Sequence, residues 1–202
     1  MIPEKIKAKP RPMSPKAPKP PAGSLRPADE LVEVVDDRDR AIAVMPLSEA
    51  HRQRLCHRSV MVLVYDRDNR LYLQRRAKTK SSYPGCFDLS ATGHVRAFES
   101  REDAGRRELN EELGLSVPRL TRLASLAASP QTAFEFTTLF SAGLVQEEPR
   151  PNPAELDGGF FAGPDDVEDL VEHFRDLLTP ALLHFHEQGL LFGRPKRGDA
   201  GD

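Results

Sequence analysis

The sequence predicts an α/β fold in which helices cover both faces of one mixed β-sheet, an α/β/α sandwich. Three observations predict it: short β-rich runs come first, a helix with an apolar stripe interrupts them near residue 101, and further strands and two closing helices follow. Elements that alternate in this way bury both faces of a single sheet. With 202 residues, the chain is long enough for one domain with a sizeable core and short for two.

Turn residues divide the chain into short elements. Asp37–Asp39 separates two β-rich runs, and Asp66–Asn69 between two longer runs is a strong hairpin signal. The predicted strands cover residues 31–36, 41–44, 58–65, 70–75, 86–92, 120–127 and 134–144. The predicted helices cover residues 48–55, a segment that begins near 101, and residues 165–175 and 180–188.

The helix near residue 101 carries the most informative pattern of the chain. Ser100, with an acidic residue three positions later, resembles a capping box, and Gly114 suits the C-terminal end of the helix. Glu108, Glu111 and Glu112 stand at positions i, i+3 and i+4, so their carboxylates project from one side. Three like charges that close repel one another unless a cation lies between them. Mg²⁺ or Mn²⁺ accepts such oxygen ligands together with substrate phosphates, so the pattern predicts a divalent metal site.

Neighbouring residues support this site. Arg107 lies one turn before Glu111 and is placed to fix carboxylate rotamers, with Glu99 as its expected charge partner. Gly93 lets the backbone pass close to the metal or a phosphate and could offer its carbonyl oxygen as a ligand. The alternative interpretation of the same acidic residues is a solvated helix face.

The sequence resembles the Nudix hydrolases, because it matches their Nudix box in full. The matching positions are Gly93, Glu99, residues 107–109 and residues 111–115. The resemblance implies a Nudix-type α/β/α sandwich with a mixed sheet. It also implies a Mg²⁺- or Mn²⁺-dependent hydrolase that cleaves diphosphates linked to another group. The residues that it implies for catalysis or metal binding are Gly93, Glu99, Arg107, Glu108, Glu111 and Glu112.

A second segment is similar to the isopentenyl-diphosphate isomerases and their hydrolase relatives. Residues 73–77, Lys78 and Tyr83–Gly85 carry this similarity. It implies that Arg76 and Lys80 bind the substrate diphosphate, one as a forked guanidinium and the other as a point-charge ammonium. The alternative is a basic loop that faces solvent.

The same similarity leaves isomerase and hydrolase as alternatives. The isomerases place a Cys where this chain has Thr92, whose hydroxyl has too high a pKa to replace a thiol. The isomerases also lack the acids that this chain has at Glu108 and Glu111, so both differences favour hydrolysis. The isomerase metal site nevertheless has matching positions in this chain, namely His57, His94 and Glu135, with His51 near another.

Glu135 is therefore a candidate ligand or base from outside the box, or simply an outward charge on a half-solvated strand. The box does not decide which glutamate acts as the base, nor which group is linked to the diphosphate. Nucleoside diphosphates and triphosphates, nucleotide sugars, dinucleoside polyphosphates and isoprenoid diphosphates all remain candidates. A third hypothesis is a silent Nudix domain that binds a nucleotide as a regulator, although such a domain would be expected to have lost box carboxylates.

Charge is unevenly distributed along the chain. Residues 1–27 carry about +6 and eight prolines, which predicts a disordered or polyproline-like tail before a domain over 28–192 and a flexible tail over 193–202. The remainder carries about −8, as a soluble enzyme with a small-molecule substrate would, and gives no nucleic-acid footprint. With only Cys56 and Cys86, no disulfide framework is expected, which favours the cytoplasm. No apolar run is long enough to span a membrane, and a monomer and a homodimer both stay open.

Overall fold

The computed structural model describes residues 30–129 and 132–192. The two expected tails, 1–27 and 193–202, and the expected start of the domain at residue 28 lie outside the described residues. Within the described ranges the elements are, in order, β1 (Leu31–Val35), β2 (Ala41–Pro46), α1 (Leu47–Gln53), β3 (His57–Tyr65), β4 (Leu71–Arg76), β5 (Phe87–Asp88), β6 (Ala91–His94), α2 (Arg101–Leu113), β7 (Thr121–Leu126), β8 (Glu135–Leu144), β9 (Leu156–Ala162), α3 (Pro164–His173), a short 3₁₀ turn (Arg175–Leu177) and α4 (Pro180–Glu187).

A seven-stranded mixed sheet forms the centre of the fold. Its order is β5-β4-β3-β8-β7, with β6 paired to β3 and β9 paired to β4. Strands β3 and β8 run parallel, whereas the other pairs are antiparallel. Strands β1 and β2 form a separate antiparallel hairpin.

Side chains of β3 alternate between two cores, one on each face of the sheet. Val60 and Val62 pack in the same core as Leu109 of α2, whereas Leu63 packs in a second core with Phe185 of α4. Because successive side chains of a strand point to opposite faces, one sheet supports both helical layers. The α/β/α sandwich with a mixed sheet that the sequence predicts is therefore confirmed.

Helix α2 begins and ends where its sequence predicts. The backbone N–H of Asp103 donates to Ser100 Oγ at 3.1 Å, and Gly114 ends the helix with φ +66°. Gly105 faces the sheet, where a Cβ would lie only 2.7 Å from Leu120 Cδ1. Helix and sheet can therefore approach closely.

The hairpin expected at Asp66–Asn69 is confirmed, because this turn joins the antiparallel strands β3 and β4. The two strands pair only at Tyr65↔Leu71 and then diverge. Ser90 causes this fork, because its Oγ accepts from Val64 N at 2.9 Å and donates to Tyr72 O at 2.6 Å. The single strand expected over 86–92 is consequently split into β5 and β6, which pair on opposite sides of the fork.

Strand β9 has no counterpart among the predicted strands. Its sequence contains Gly158 and Gly159, which weaken a strand pattern. Gly159 is needed because a Cβ there would lie 2.4 Å from the hydroxyl oxygen of Tyr72. Among the described residues, no helix is long and apolar enough to cross a membrane.

Candidate metal and diphosphate site

At the fork between β3 and β4, β6 pairs with β3, and α2 lies against β6. Gly93 of β6 touches Glu108 of α2 so closely that a Cβ would stand 2.0 Å from the carboxyl carbon of Glu108. Any other residue at this position would displace the carboxylate. Glu108 therefore takes its place because position 93 has no side chain.

Glu112 is the most deeply held carboxylate of the helix. It is 3% exposed, and its Oε2 accepts from Thr92 N at 2.9 Å and from Gln74 Nε2 at 3.2 Å. Burial, reinforced by the charge of Glu108, raises the pKa of Glu112 to about 8. Burial also raises the pKa of Glu108 to about 7, against the opposing effect of Arg107. Two adjacent carboxyl groups with raised pKa values favour a bound cation.

Arg107 organises the acidic residues around it. Its Nε and Nη2 donate to the two carboxylate oxygens of Glu99 at 2.9 and 3.0 Å, and its Nη1 donates to Glu108 Oε1 at 2.6 Å. The same guanidinium donates to His94 O at 2.8 Å. Glu111 is more remote, since its side chain is 46% exposed and lies 3.4 Å from Arg107 Nη1. The box thus gathers Glu108 and Glu112 inward and leaves Glu111 at the rim.

A second cluster combines His51 of α1, His57 of β3, His94 of β6 and Glu135 of β8. The strand register explains it, because His57 pairs with Glu135 across β3 and β8, and His94 joins through its pairing with Ser59. Glu135 Oε1 lies 3.3, 3.7 and 3.9 Å from Nε2 of His94, His57 and His51. One ion bound at about 2.0–2.2 Å holds its ligand atoms roughly 3–4 Å apart, so this donor set fits a transition metal.

The protonation states of His57 and His51 favour metal binding, whereas that of His94 opposes it. His57 Nδ1 lies 2.9 Å from Leu55 O, which directs Nε2 toward the other members of the cluster. Burial lowers the pKa of His57, and burial with the neighbouring histidines lowers that of His51 to about 4. Burial alone would raise the pKa of Glu135, but the hydrogen bond with His94 holds this pKa at about 2. His94 has a raised pKa because, although burial opposes it, Glu135 stabilises the imidazolium.

The hairpin and α1 place His51 in the histidine cluster. Leu47 and Ala50 of α1 are buried in a small core with Val32 and Val34 of β1. The β1–β2 hairpin and α1, residues 31–53, are together called the bracket. It places His51 Nε2 within 3.1 Å of His57 Nε2.

The two cations expected to bind diphosphate lie at the end of β4 and in the loop that follows it. Arg76 Nη1 donates to the buried Asp88 at 3.2 Å, and its Nε donates to Ser82 O at 3.1 Å. The ammonium of Lys80 instead pairs with Glu155, a residue that belongs to no motif. Arg76 is thus engaged with a buried partner, whereas Lys80 is held by a partly exposed one.

The sequence pattern did not identify Gln74 as a residue of the site. It is fully buried, donates to Glu112, and its Oε1 has no hydrogen-bond partner among the described residues. Neither Gln74 nor Glu155 could be assigned from spacing, because each reaches Glu112 through the sheet and loop geometry. Gln74 reaches Glu112 because β4 lies beside α2, and Glu155 comes near Glu112 because β4 pairs with β9.

Comparisons with known proteins agree with this geometry. A model of the NUDIX domain family matches residues 55–182. An uncharacterized Nudix hydrolase from Streptomyces coelicolor is 39% identical over 98 residues, which are 48% of this chain and 54% of that one. The chain thus spans about half the length of the first curated relatives that it matches.

A longer stretch of the chain is similar to a protein that is named as an isomerase. An isopentenyl-diphosphate Delta-isomerase from Nocardia farcinica is 33% identical over 163 residues, or 77% of this chain and 92% of that one. A crystal structure of a Deinococcus radiodurans protein has a TM-score of 0.68 at 24% identity, covers 78% of this chain and 98% of that one, and shows the fold alone. The box, the sandwich and these matches show that the chain belongs to the Nudix family.

Proposed function

We propose that this protein is a divalent-metal-dependent hydrolase that cleaves a phosphoanhydride linkage in a nucleoside diphosphate derivative or a related metabolite. The observation that carries the proposal is the buried pair Glu108 and Glu112. Glu112 has no ion-pair partner within 4 Å among the described residues, and burial, reinforced by the charge of Glu108, raises its pKa to about 8. Burying two neighbouring carboxyl groups costs folding free energy, and such groups with shifted pKa values are frequent at functional sites.

Mg²⁺ or Mn²⁺ suits the oxygen donors of Glu108, Glu111 and Glu112, with the carbonyl of Gly93 as a further ligand. When bound, such an ion neutralises charge on phosphate oxygens, orients the diphosphate and acidifies water. Arg107 fixes the orientation of Glu108 and is itself held by Glu99.

The remaining side chains bind substrate and move one proton. Lys80 binds the diphosphate, and Arg76 supports the same loop. A water oxygen attacks phosphorus, the bridging P–O bond breaks, and the proton of the water passes to a carboxylate. Glu108, Glu111 and Glu135 are the candidates for this base. Reaction in the cytoplasm on a small-molecule substrate is part of the same proposal.

The second candidate function is the isomerisation of isopentenyl diphosphate. The histidine cluster of His51, His57, His94 and Glu135 favours it, together with the long match to an enzyme named as such an isomerase. Thr92 speaks against it, because a hydroxyl at the position of the isomerase thiol is too weak an acid to protonate carbon. Hydrolysis is therefore the preferred assignment.

A screen of phosphate-containing metabolites with Mg²⁺ separates the candidates. Hydrolysis predicts phosphate release that requires metal, and Glu112→Gln is expected to reduce turnover at least about a hundredfold with an unchanged circular dichroism spectrum. Glu172→Gln, on an exposed face of α3, is the matched control. Carbon-proton exchange in isopentenyl diphosphate without phosphate release would instead establish the isomerase. Metal-independent nucleotide binding without turnover would establish a regulatory binding module.

A further inference from the structure

Two loops meet beside Glu112 through backbone hydrogen bonds. In the β4–β5 loop, Lys80 N donates to Ala77 O at 3.0 Å, and Ala77 N in turn donates to Glu155 O of the β8–β9 loop at 3.0 Å. These bonds place the side chains of Lys80 and Glu155 together, where they form an ion pair. The pair therefore joins the β4–β5 loop to the β8–β9 loop.

The β8–β9 loop is also fixed to the C-terminal end of α2. Arg150 N donates to Leu113 O at 2.7 Å, and Asn152 N donates to Glu112 O at 2.8 Å. The side chain of Asn152 adds a bond to Glu111 O at 3.2 Å. Because these bonds satisfy the last carbonyls of the helix, they set Glu155 at a defined position relative to the box.

Both members of the pair lie within electrostatic reach of Glu112. Burial is the main reason for the raised pKa of Glu112, but the ammonium of Lys80 lowers this pKa and the carboxylate of Glu155 raises it. The cation expected to meet the diphosphate and the carboxylate that restrains it are thus beside the same box residue.

Of the two cations Arg76 and Lys80, Lys80 is the one that can release its carboxylate partner. Arg76 pairs with Asp88, which is 4% exposed, and removing a cation from a buried carboxylate is costly. The side chains of Lys80 and Glu155 are 26% and 28% exposed, so their pair can open at small cost.

We propose that Glu155 is a positioning residue that competes with substrate for Lys80. In the free protein Glu155 holds the ammonium, and every phosphate ligand that binds Lys80 must first open this pair. Opening the pair weakens the binding of substrate and of phosphate product by the same free energy, so Glu155 limits the affinity of the site and helps the product to leave. The inference rests on the proposed binding of diphosphate by Lys80.

Binding of methylenediphosphonate, a diphosphate analogue with a non-cleavable bridge, tests the competition by calorimetry with Mg²⁺ present. Glu155→Gln is expected to lower its Kd by about two- to tenfold, as expected for loss of one partly exposed ion pair. Lys80→Met is expected to raise the Kd, and the double variant should match Lys80→Met alone, since Glu155 acts through Lys80. Inorganic phosphate should gain no more from Glu155→Gln than methylenediphosphonate does, because both ligands must open the same ion pair to reach Lys80.

Glu147→Gln, an exposed charge on the same loop, is the matched control for a general loss of negative charge and should leave both Kd values unchanged. An unchanged Kd in Glu155→Gln, or equal tightening in the Lys80→Met background, overturns the competition. When Glu155→Gln leaves the Kd unchanged while the wild-type protein binds the analogue only with Mg²⁺ and Glu112→Gln abolishes that binding, the role of Glu155 is rejected and the proposed function stands. Absence of any metal-dependent binding by the wild-type protein would reject both.

Discussion

At the scale of single residues, the site depends on space and on burial more than on the number of charges. Gly93 has no side chain, and the carboxyl group of Glu108 fills the space. Glu112 is fixed by donors from Thr92 and Gln74, so one carboxylate oxygen is already committed to the protein. The proposed metal site is therefore held by the protein's own contacts before any ion arrives.

Gly93→Ala tests the requirement for space. The added Cβ would stand 2.0 Å from the carboxyl carbon of Glu108, so either this side chain or β6 must move. We expect a loss of about 1–3 kcal/mol in the free energy of unfolding, measured with urea, and a weaker stabilisation by Mg²⁺. Gly163→Ala is the matched control, since a Cβ there makes only ordinary contacts, with Asp166 Oδ2 at 3.5 Å and Arg70 Cγ at 4.0 Å. Equal effects of the two substitutions would contradict the argument.

The raised pKa values of Glu108 and Glu112 predict a pH dependence. With metal absent, a carboxyl group whose pKa is higher in the folded than in the unfolded state stabilises the fold at low pH, and this contribution is lost as the pH rises through about 7 to 8. Mg²⁺ binds the ionised form. The increase in Tm caused by saturating Mg²⁺ should therefore be larger at about pH 8.5 than at about pH 6. In Glu112→Gln this difference should shrink, and a difference of full size in that variant would count against the assignment.

The residues of the box could be predicted because their spacing lies within one helix. A helix places residues i, i+3 and i+4 on one side whatever the rest of the chain does. Gln74 and Glu155 could not be predicted, because they reach Glu112 only after β4 pairs with β9 and two loops close. Local periodicity contains no information about such long-range registers.

At the scale of elements, the fork in the sheet and the hairpin decide what reaches the site. Ser90 provides side-chain hydrogen bonds where a strand ladder would continue, so β3 and β4 separate and β6 enters between them. A turn signal at Asp66–Asn69 predicts that two strands follow one another, but it does not predict how far they pair. The expected hairpin is therefore confirmed at its turn, but its pairing ends after a single register position.

The turn of the β1–β2 hairpin holds the bracket to the rest of the molecule through Asp39. Arg58 donates from Nε to Asp39 Oδ1 and from Nη2 to Asp39 O, both at 2.7 Å, and Arg101 of α2 pairs with the same carboxylate. Asp39→Asn keeps the φ of +63°, which Asn tolerates, and removes the charge. We expect a loss of about 1–2 kcal/mol in unfolding free energy, after allowance for partial exposure. Asp37→Asn in the same exposed turn should change it by less than about 0.5 kcal/mol.

At the scale of the whole molecule, the histidine cluster is the feature that depends on every layer of the fold. Its four residues come from α1, β3, β6 and β8, and His57 and Glu135 are 78 positions apart but paired in the sheet. The positions were recognisable from the sequence only by resemblance to a family. Their convergence required the parallel pairing of β3 with β8, which the strand pattern did not predict.

An ion in this cluster should therefore stabilise the entire fold and not one element. We expect Co²⁺ at a hundredfold excess over its Kd to add about 2.7 kcal/mol of stability, which raises Tm by roughly 5 to 10 °C in a chain of this size. His57→Gln should abolish this increase, because His57 is buried at the centre of the cluster with Nε2 directed toward the other members. His173→Gln, on the exposed surface of α3, should retain it. Titration of Co²⁺ absorption bands provides the independent check, since coordination by imidazole nitrogen changes the visible spectrum whether or not the protein turns over any substrate. A Co²⁺ spectrum that is identical in His57→Gln and in the wild-type protein would show that the four side chains converge for reasons of packing alone.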